Sequence, residues 1–119
     1  MNMAQHNELG KQGEEIAVKY LLERGYKILE RNWRNQHKEI DIIAMDGEEL
    51  VIVEVKTRMK DDYEPYLSVT KPKQRLLFSA ANSYIFKNRL DVSTRFDIIS
   101  IVLKDENPVI DHIQDAFLP

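Results

Sequence analysis

Two carboxylates and a lysine stand in strand-like segments that are otherwise apolar. Along Leu50-Val51-Ile52-Val53-Glu54-Val55-Lys56-Thr57, side chains alternate between faces, so Val51, Val53 and Val55 share one face while Ile52, Glu54 and Lys56 share the other. The same alternation in the preceding segment groups Glu39, Asp41 and Ile43 against Ile40, Ile42 and Ala44. A two-residue turn at Gly47-Glu48, with glycine first as a type II′ turn prefers, sets Asp41 opposite Glu54 and Glu39 opposite Lys56. A four-residue loop from Asp46 to Glu49 gives the same register. A type I′ turn at Asp46-Gly47 leaves Asp41 diagonal to Glu54, still on its face.

Directly opposed carboxylates lie with Cβ atoms about 4.5 to 5.5 Å apart and repel each other, so a half-buried pair needs a cation. A divalent metal ion supplies one. Oxygen ligation suits Mg²⁺ or Mn²⁺, which would take Asp41, Glu54, a carbonyl such as that of Val55, water and a substrate phosphate. Lys56 is placed to orient or deprotonate an attacking water, or to stabilise charge developing on a phosphoryl oxygen. A metal, a water and a cation together suit phosphodiester hydrolysis. The chain has no cysteine, so disulfides, thiolate metal sites and thiol nucleophiles are excluded.

The elements that must hold these groups follow from periodicity. From Asn7 to Arg24, Leu9, Gly13, Ile16, Ala17, Tyr20 and Leu21 recur at helical spacing, with Asn7 as the expected N-cap and Gly25 as the stop. On that helix Glu14 falls beside Leu21 at the edge of the apolar face, where it could add a carboxylate to the site, whereas Glu15 points away. Three extended segments follow, Tyr26 to Trp33, His37 to Met45 and Leu50 to Thr57. After a polar loop from Arg58 to Ser68, a second helix is expected, with Thr70 as N-cap, Pro72 in the first turn and Leu76, Leu77, Ala80, Ala81, Tyr84 and Ile85 buried. Thr94 to Leu103 and Val109 to Ile113 complete the set as strands. A meander, a crossover helix and a further strand predict an α/β domain, one mixed β-sheet with flanking helices, spanning residues 1–119 as one unit.

The longest apolar runs fall well short of the roughly 20 residues of a membrane helix, and the first residues lack the apolar core of a signal peptide, so a cytoplasmic protein that does not enter the membrane is expected. A formal net charge of −3 argues against a generally basic surface. Local basic clusters are present all the same: Arg31, Arg34 and Lys38; Lys56, Arg58 and Lys60; Lys71, Lys73 and Arg75. They surround the expected site, and Arg34, Lys38, Arg58 and Lys73 are the candidates for a phosphate-contacting rim. Trp33 and the loop from Tyr63 to Tyr66 could stack on bases, although packing is the commoner use of either. His6, His37 and His112 have no ligand spacing.

Asp41 followed by Glu54-Val55-Lys56 resembles the PD-(D/E)xK nuclease superfamily. More closely, Leu9-Gly10, Gly13-Glu14, Ala17, Tyr20-Leu21, Gly25-Tyr26, Glu39-Ile40-Asp41, Val53-Glu54-Val55-Lys56-Thr57-Arg58, Lys73-Gln74 and Arg95-Phe96-Asp97 resemble the bacterial YraN-like family over nearly the whole chain. That family is similar in core to archaeal Holliday junction resolvases. The resemblance implies a restriction-endonuclease-like fold and a DNA endonuclease, with branched DNA among the substrates. It implies Asp41 and Glu54 as metal ligands, Lys56 as catalytic, Glu14 as the carboxylate of the N-terminal helix and Gln74 as a polar residue of the active site. Relatives usually carry glycine immediately before Glu-Ile-Asp, where this chain has Lys38. Resolvase-like enzymes act as dimers because two strands must be cut, so a homodimer is one expectation, yet no self-complementary face is legible here. The competing function is a DNA-binding or partner-binding accessory protein that keeps the fold and does not turn over.

Overall fold

The computed structural model describes residues 2–60, 69–104 and 107–119. Helix α1 (Met3–Glu23) begins earlier than the apolar periodicity indicates, and its N-cap is Asn2, not Asn7. The Asn2 side chain accepts from the Gln5 N–H at 2.8 Å, and the Gln5 side chain accepts from the Asn2 N–H at 3.0 Å. This reciprocal capping box holds a first turn that buries nothing and so leaves no hydrophobic signal. The helix stops where expected, at Gly25 with φ 85°.

Strands β1 (Lys27–Asn35), β2 (Lys38–Asp46) and β3 (Glu49–Met59) form an antiparallel meander. Helix α2 (Lys71–Lys87) follows, with the Thr70 side chain accepting from the Lys73 N–H at 3.3 Å and Pro72 in its first turn. It carries the chain over to β4 (Ser93–Leu103), parallel to β3, and β5 (Val109–Ile113) then pairs antiparallel with β4. The result is a mixed five-stranded sheet in the order β1-β2-β3-β4-β5 with two helices, the α/β arrangement expected. Arg58 and Met59, expected in a loop, extend β3 beside Val102 and Leu103. No helix among the described residues is long and apolar enough to cross a membrane.

Each face of the sheet carries its own core. Ala17 and Leu21 of α1 pack with Ile42, Ala44, Val51, Val53, Ile99 and Ile101. On the other face Leu77, Ala80, Ala81 and Tyr84 of α2 pack with Ile43, Leu50, Ile52, Phe96 and Ile98. Strands covered on both faces read as near-continuous apolar runs, as β3 and β4 do. Leu76, expected in the buried stripe of α2, is 49% exposed, because the stripe that meets the sheet runs through Leu77 instead. Trp33 is used for packing, edge-on to Tyr84 with ring centroids 5.3 Å apart.

Two contacts fix α1 and the sheet ends. A Cβ placed on Gly13 would lie 1.7 Å from the Thr57 Oγ1 and 2.7 Å from its Cβ, so only glycine lets the helix backbone rest on β3. At the opposite end of the sheet, buried Arg95 binds both oxygens of Asp97, at 2.9 and 3.0 Å, and also Asp46 at 3.0 Å, Glu49 at 3.1 Å and the Tyr26 hydroxyl at 2.7 Å. Asp97 accepts further bonds from the Asp115 N–H at 3.0 Å and from His112 Nε2 at 2.7 Å. The other ring nitrogen of His112 lies 3.2 Å from the Tyr20 hydroxyl of α1. Thus His112, which carries no sequence signature, ties β4, β5 and α1 together. Burial alone would push the Asp97 carboxyl up; the bonds from His112, Arg95 and Asp115 outweigh it and hold the carboxyl below its ordinary value.

Two outcomes are expected in urea unfolding. Gly13→Ala lowers stability by about 2 kcal/mol, because the added methyl must push α1 off β3; an unchanged midpoint would contradict the contact. Asp97→Asn costs about 3 kcal/mol at neutral pH, because it removes the buried carboxylate that Arg95 and His112 share, although Arg95 keeps Asp46 and Glu49. The native Asp97 carboxyl titrates below the unfolded one, so its contribution is complete above the ordinary carboxylate range and is lost as pH falls through the native value. The gap between wild type and Asp97→Asn therefore narrows in acid.

Candidate functional site

The β2–β3 register is the one the Gly47 turn dictates, with Gly47 at φ 62° and partners running from Asp46↔Glu49 to Ile42↔Val53. There the ladder ends, although β2 begins at Lys38 and β3 continues to Met59. Immediately beyond the last pair, the Asp41 Oδ2 accepts the Val55 N–H at 2.8 Å. A backbone donor that faces β2 is thus satisfied by a side chain, and the two strands can separate.

The alternation of β2 breaks at the same point. Ile40 belongs to the core under α2, while Ile42 belongs to the core under α1. Across on β1, between the pairs Arg31↔Ile42 and Trp33↔Ile40, Asn32 is left-handed with φ 51°. Asparagine tolerates that conformation better than most residues. Asp41 consequently lines a cleft on the α1 side together with Val55 and Thr57, which corrects the expectation that it shares a plain strand face with Glu39 and Ile43. Nor does Glu39 face Lys56: it is the cross-strand partner of Arg34 and pairs with it at 2.7 Å.

The carboxylates still converge. Glu54, with its side chain only 12% exposed, has its carboxyl pushed up to about 8, first by burial and then by the charge of Asp41 and a hydrogen bond with it, against the pull of Lys73 and Lys56. Lys73, in the first turn of α2, places its Nζ 3.8 Å from the Glu54 Oε2. It therefore sits inside the site as well as on the expected rim. Lys56 is half-buried two residues beyond Glu54 on the same strand.

Glu14 reaches the cleft from α1, and its carboxyl is also raised, by burial first and by Asp41 second. The Asn32 amide nitrogen, oriented to satisfy both of its polar atoms, lies 2.6 and 3.2 Å from the two Glu14 oxygens. Glu15 turns outward, as expected, and pairs with Arg31. Among the described residues no three histidine or acidic side chains converge as a ready-made metal cage. Asp41 and Glu54 form the close pair, with Glu14 as a more distant third. Two oxygen-donor carboxylates whose mutual repulsion raises one of them fit Mg²⁺ or Mn²⁺, since these ions typically use one or two protein carboxylates and fill the remaining positions with water and substrate oxygens.

The other expected residues fall as follows. Val55 lines the cleft with its N–H engaged by Asp41. Gln74 donates its amide to the Val69 carbonyl at 2.9 Å and so braces the entry to α2. Arg34 lines the cleft, Lys38 is half-buried at the start of β2, and Arg58 is half-buried two residues beyond Lys56. Tyr63 and Tyr66 lie outside the described residues. The cleft, about 800 Å³, is bounded by Asn7, Lys11, Glu14, Asn32, Arg34 and Asp41. Asn32 carries no motif in the sequence; its only signal is an asparagine in the middle of a strand.

Residues 13–101 match the family described as "Uncharacterised protein family UPF0102". A UPF0102 protein of Christiangramia forsetii is 50% identical over 116 residues, covering 97% of this chain and 98% of the relative. UPF0102 proteins of Bacteroides thetaiotaomicron and Geobacter metallireducens are each 50% identical over 118 residues, covering 98% and 97% of both chains respectively. With a match over most of its length and relatives of the same size, this chain belongs to the UPF0102 family, the YraN-like family that its motifs resemble.

Proposed function

We propose that this protein is a Mg²⁺- or Mn²⁺-dependent DNA endonuclease with a restriction-endonuclease-like fold of the PD-(D/E)xK superfamily, related to archaeal Holliday junction resolvases and acting on DNA, branched forms included. The observation that carries the reading is the convergence of Asp41 and Glu54 where β2 and β3 part, with the Glu54 carboxyl pushed up to about 8 beside two lysines. Natural folds rarely keep two half-buried acids together unless a cation or a proton is used there. A divalent ion held by Asp41 and Glu54 would polarise a phosphoryl oxygen and ease the ionisation of a water. The chain's own groups do the rest. Lys56 offers an ammonium to the charge that develops on the phosphoryl oxygen. Lys73 offsets the negative charge of Glu54, and Asn32 orients Glu14 towards the cleft. Arg34, Lys38 and Arg58 supply the phosphate-contacting rim.

The second reading is an accessory protein that binds DNA or a partner without turnover. The Lys73–Glu54 ion pair favours it, since it lets the site exist without a metal.

Thermal melting separates the two. The native Glu54 carboxyl titrates above the unfolded one, so wild type loses stability as pH rises from about 4.5 to about 8. Glu54→Gln should escape that loss and melt above wild type at about pH 8, and Mn²⁺ should raise wild type but not the variant, by binding selectively to the native state. A Glu54→Gln protein that melts lower and a wild type indifferent to Mn²⁺ make Glu54 a structural partner of Lys73 and defeat the metal reading. In cleavage assays across branched, single-stranded and duplex DNA with Mn²⁺, Lys56→Ala and Asp41→Ala should each lose at least ~100-fold in rate. Salt-sensitive binding without product from wild type would point to the accessory role.

A further inference from the structure

The two glycines of α1 have opposite reasons to be there. Gly13 is required by Thr57, whereas a Cβ on Gly10 would meet nothing within 4 Å, and its φ is not left-handed. A glycine inside a helix loses stability relative to alanine, and at Gly10 neither packing nor conformation accounts for it. Gly10 does line the cleft, together with Asn7 and Lys11. With spacings of three and four residues, Asn7, Gly10, Lys11 and Glu14 form one stripe along α1 that ends at the carboxylates.

The charges along the cleft sharpen the contrast. Arg34, which lines the cleft with Lys11, is paired with Glu39; outside the cleft lining, Arg31 is paired with Glu15 and Lys73 with Glu54. Lys11 has no carboxylate partner among the described residues. A bare stretch of helix backbone flanked by an amide and an ammonium that is in no ion pair among the described residues is a surface that a sugar–phosphate backbone can approach closely.

The geometry points to the Asn7–Gly10–Lys11 stripe as a binding subsite for one nucleic-acid strand, whose backbone lies against Gly10 and places a phosphate on the Lys11 Nζ, delivering the neighbouring phosphodiester to Asp41 and Glu54. This subsite rests on the nucleic-acid part of the reading above. It assigns a role to the start of α1, which contributes only Leu9 to the buried interior before Gly13.

The test is fluorescence anisotropy of a labelled single-stranded DNA over a salt series in EDTA, so that no cleavage intervenes. Lys11→Ala should flatten the slope of log affinity against log salt by about 0.7, the loss of one phosphate contact on a single strand. Gly10→Leu, which fills the open floor, should bind about tenfold more weakly, the loss of one good contact. Gly10→Ala should melt at or above wild type, showing that the glycine is not kept for the fold. If wild type binds the strand and both Lys11→Ala and Gly10→Leu match it in affinity and slope, the subsite is overturned and the nuclease reading stands. If wild type binds neither single-stranded nor duplex DNA at low salt, the nucleic-acid reading fails and the subsite falls with it.

Discussion

The hydrogen bond from the Val55 N–H to the Asp41 carboxylate, 2.8 Å long, decides the shape of the cleft end of the molecule. A strand pair that completes its ladder satisfies every inward backbone group but leaves no space between the strands. Here a side chain takes over as acceptor, so β3 keeps its donor satisfied while β2 turns away. The turning needs an accommodating residue on the other flank, and left-handed Asn32 provides it. The same residue then reaches Glu14. One local substitution of a carboxylate for a carbonyl thus opens a cleft, brings Asp41 near Glu54 and gives α1 a role at the site.

The two ends of the sheet treat buried acids in opposite ways. Asp97 is surrounded by Arg95, His112 and a backbone N–H, and these bonds hold its carboxyl low despite complete burial. Glu54 has two lysines nearby, yet burial and Asp41 keep its carboxyl high. Lys73 at 3.8 Å offers charge without the geometry of a short hydrogen bond. Structural charge clusters tend towards full mutual satisfaction, whereas sites of chemistry leave a group in want of a partner. By that criterion the Arg95 network fastens the hairpin end, and the Asp41–Glu54 pair is the end whose carboxyl lacks a full set of partners.

Much of this was legible in the sequence because it depended on local rules. The Gly47 turn set the β2–β3 register, Thr70 and Pro72 set the start of α2, and the alternation of β3 separated Glu54 and Lys56 from the apolar face. The start of α1 is not legible in the hydrophobic pattern, because Asn2 and Asn7 are equally competent caps and only the capping box with Gln5, which involves no hydrophobic residue, decides between them. The face of Asp41 is not legible in the sequence because strict alternation assumes an uninterrupted ladder, and the interruption is made by the very side chain in question. Lys73 at Glu54 and His112 at Asp97 join residues far apart in sequence, and no spacing announces such pairs.

Helix α1 extends further than packing requires, since Met3 to Glu8 are exposed and held by a capping box. A helix that served only to cover the sheet could begin near Leu9, the first of its residues to be buried. The additional turns bury nothing, and they carry Asn7 on the wall of the cleft. Gly13 locks the register between α1 and β3 through Thr57, so the positions of Asn7, Gly10, Lys11 and Glu14 relative to Asp41 follow from a single contact in which no side chain of α1 intervenes. A backbone-on-strand contact fixes both the height and the rotation of the helix more tightly than two flexible side chains would. The cleft is therefore bounded by a rigid wall on α1 and by the diverging strands opposite, and it is the second boundary, set by Asp41 and Asn32, that leaves room for a ligand.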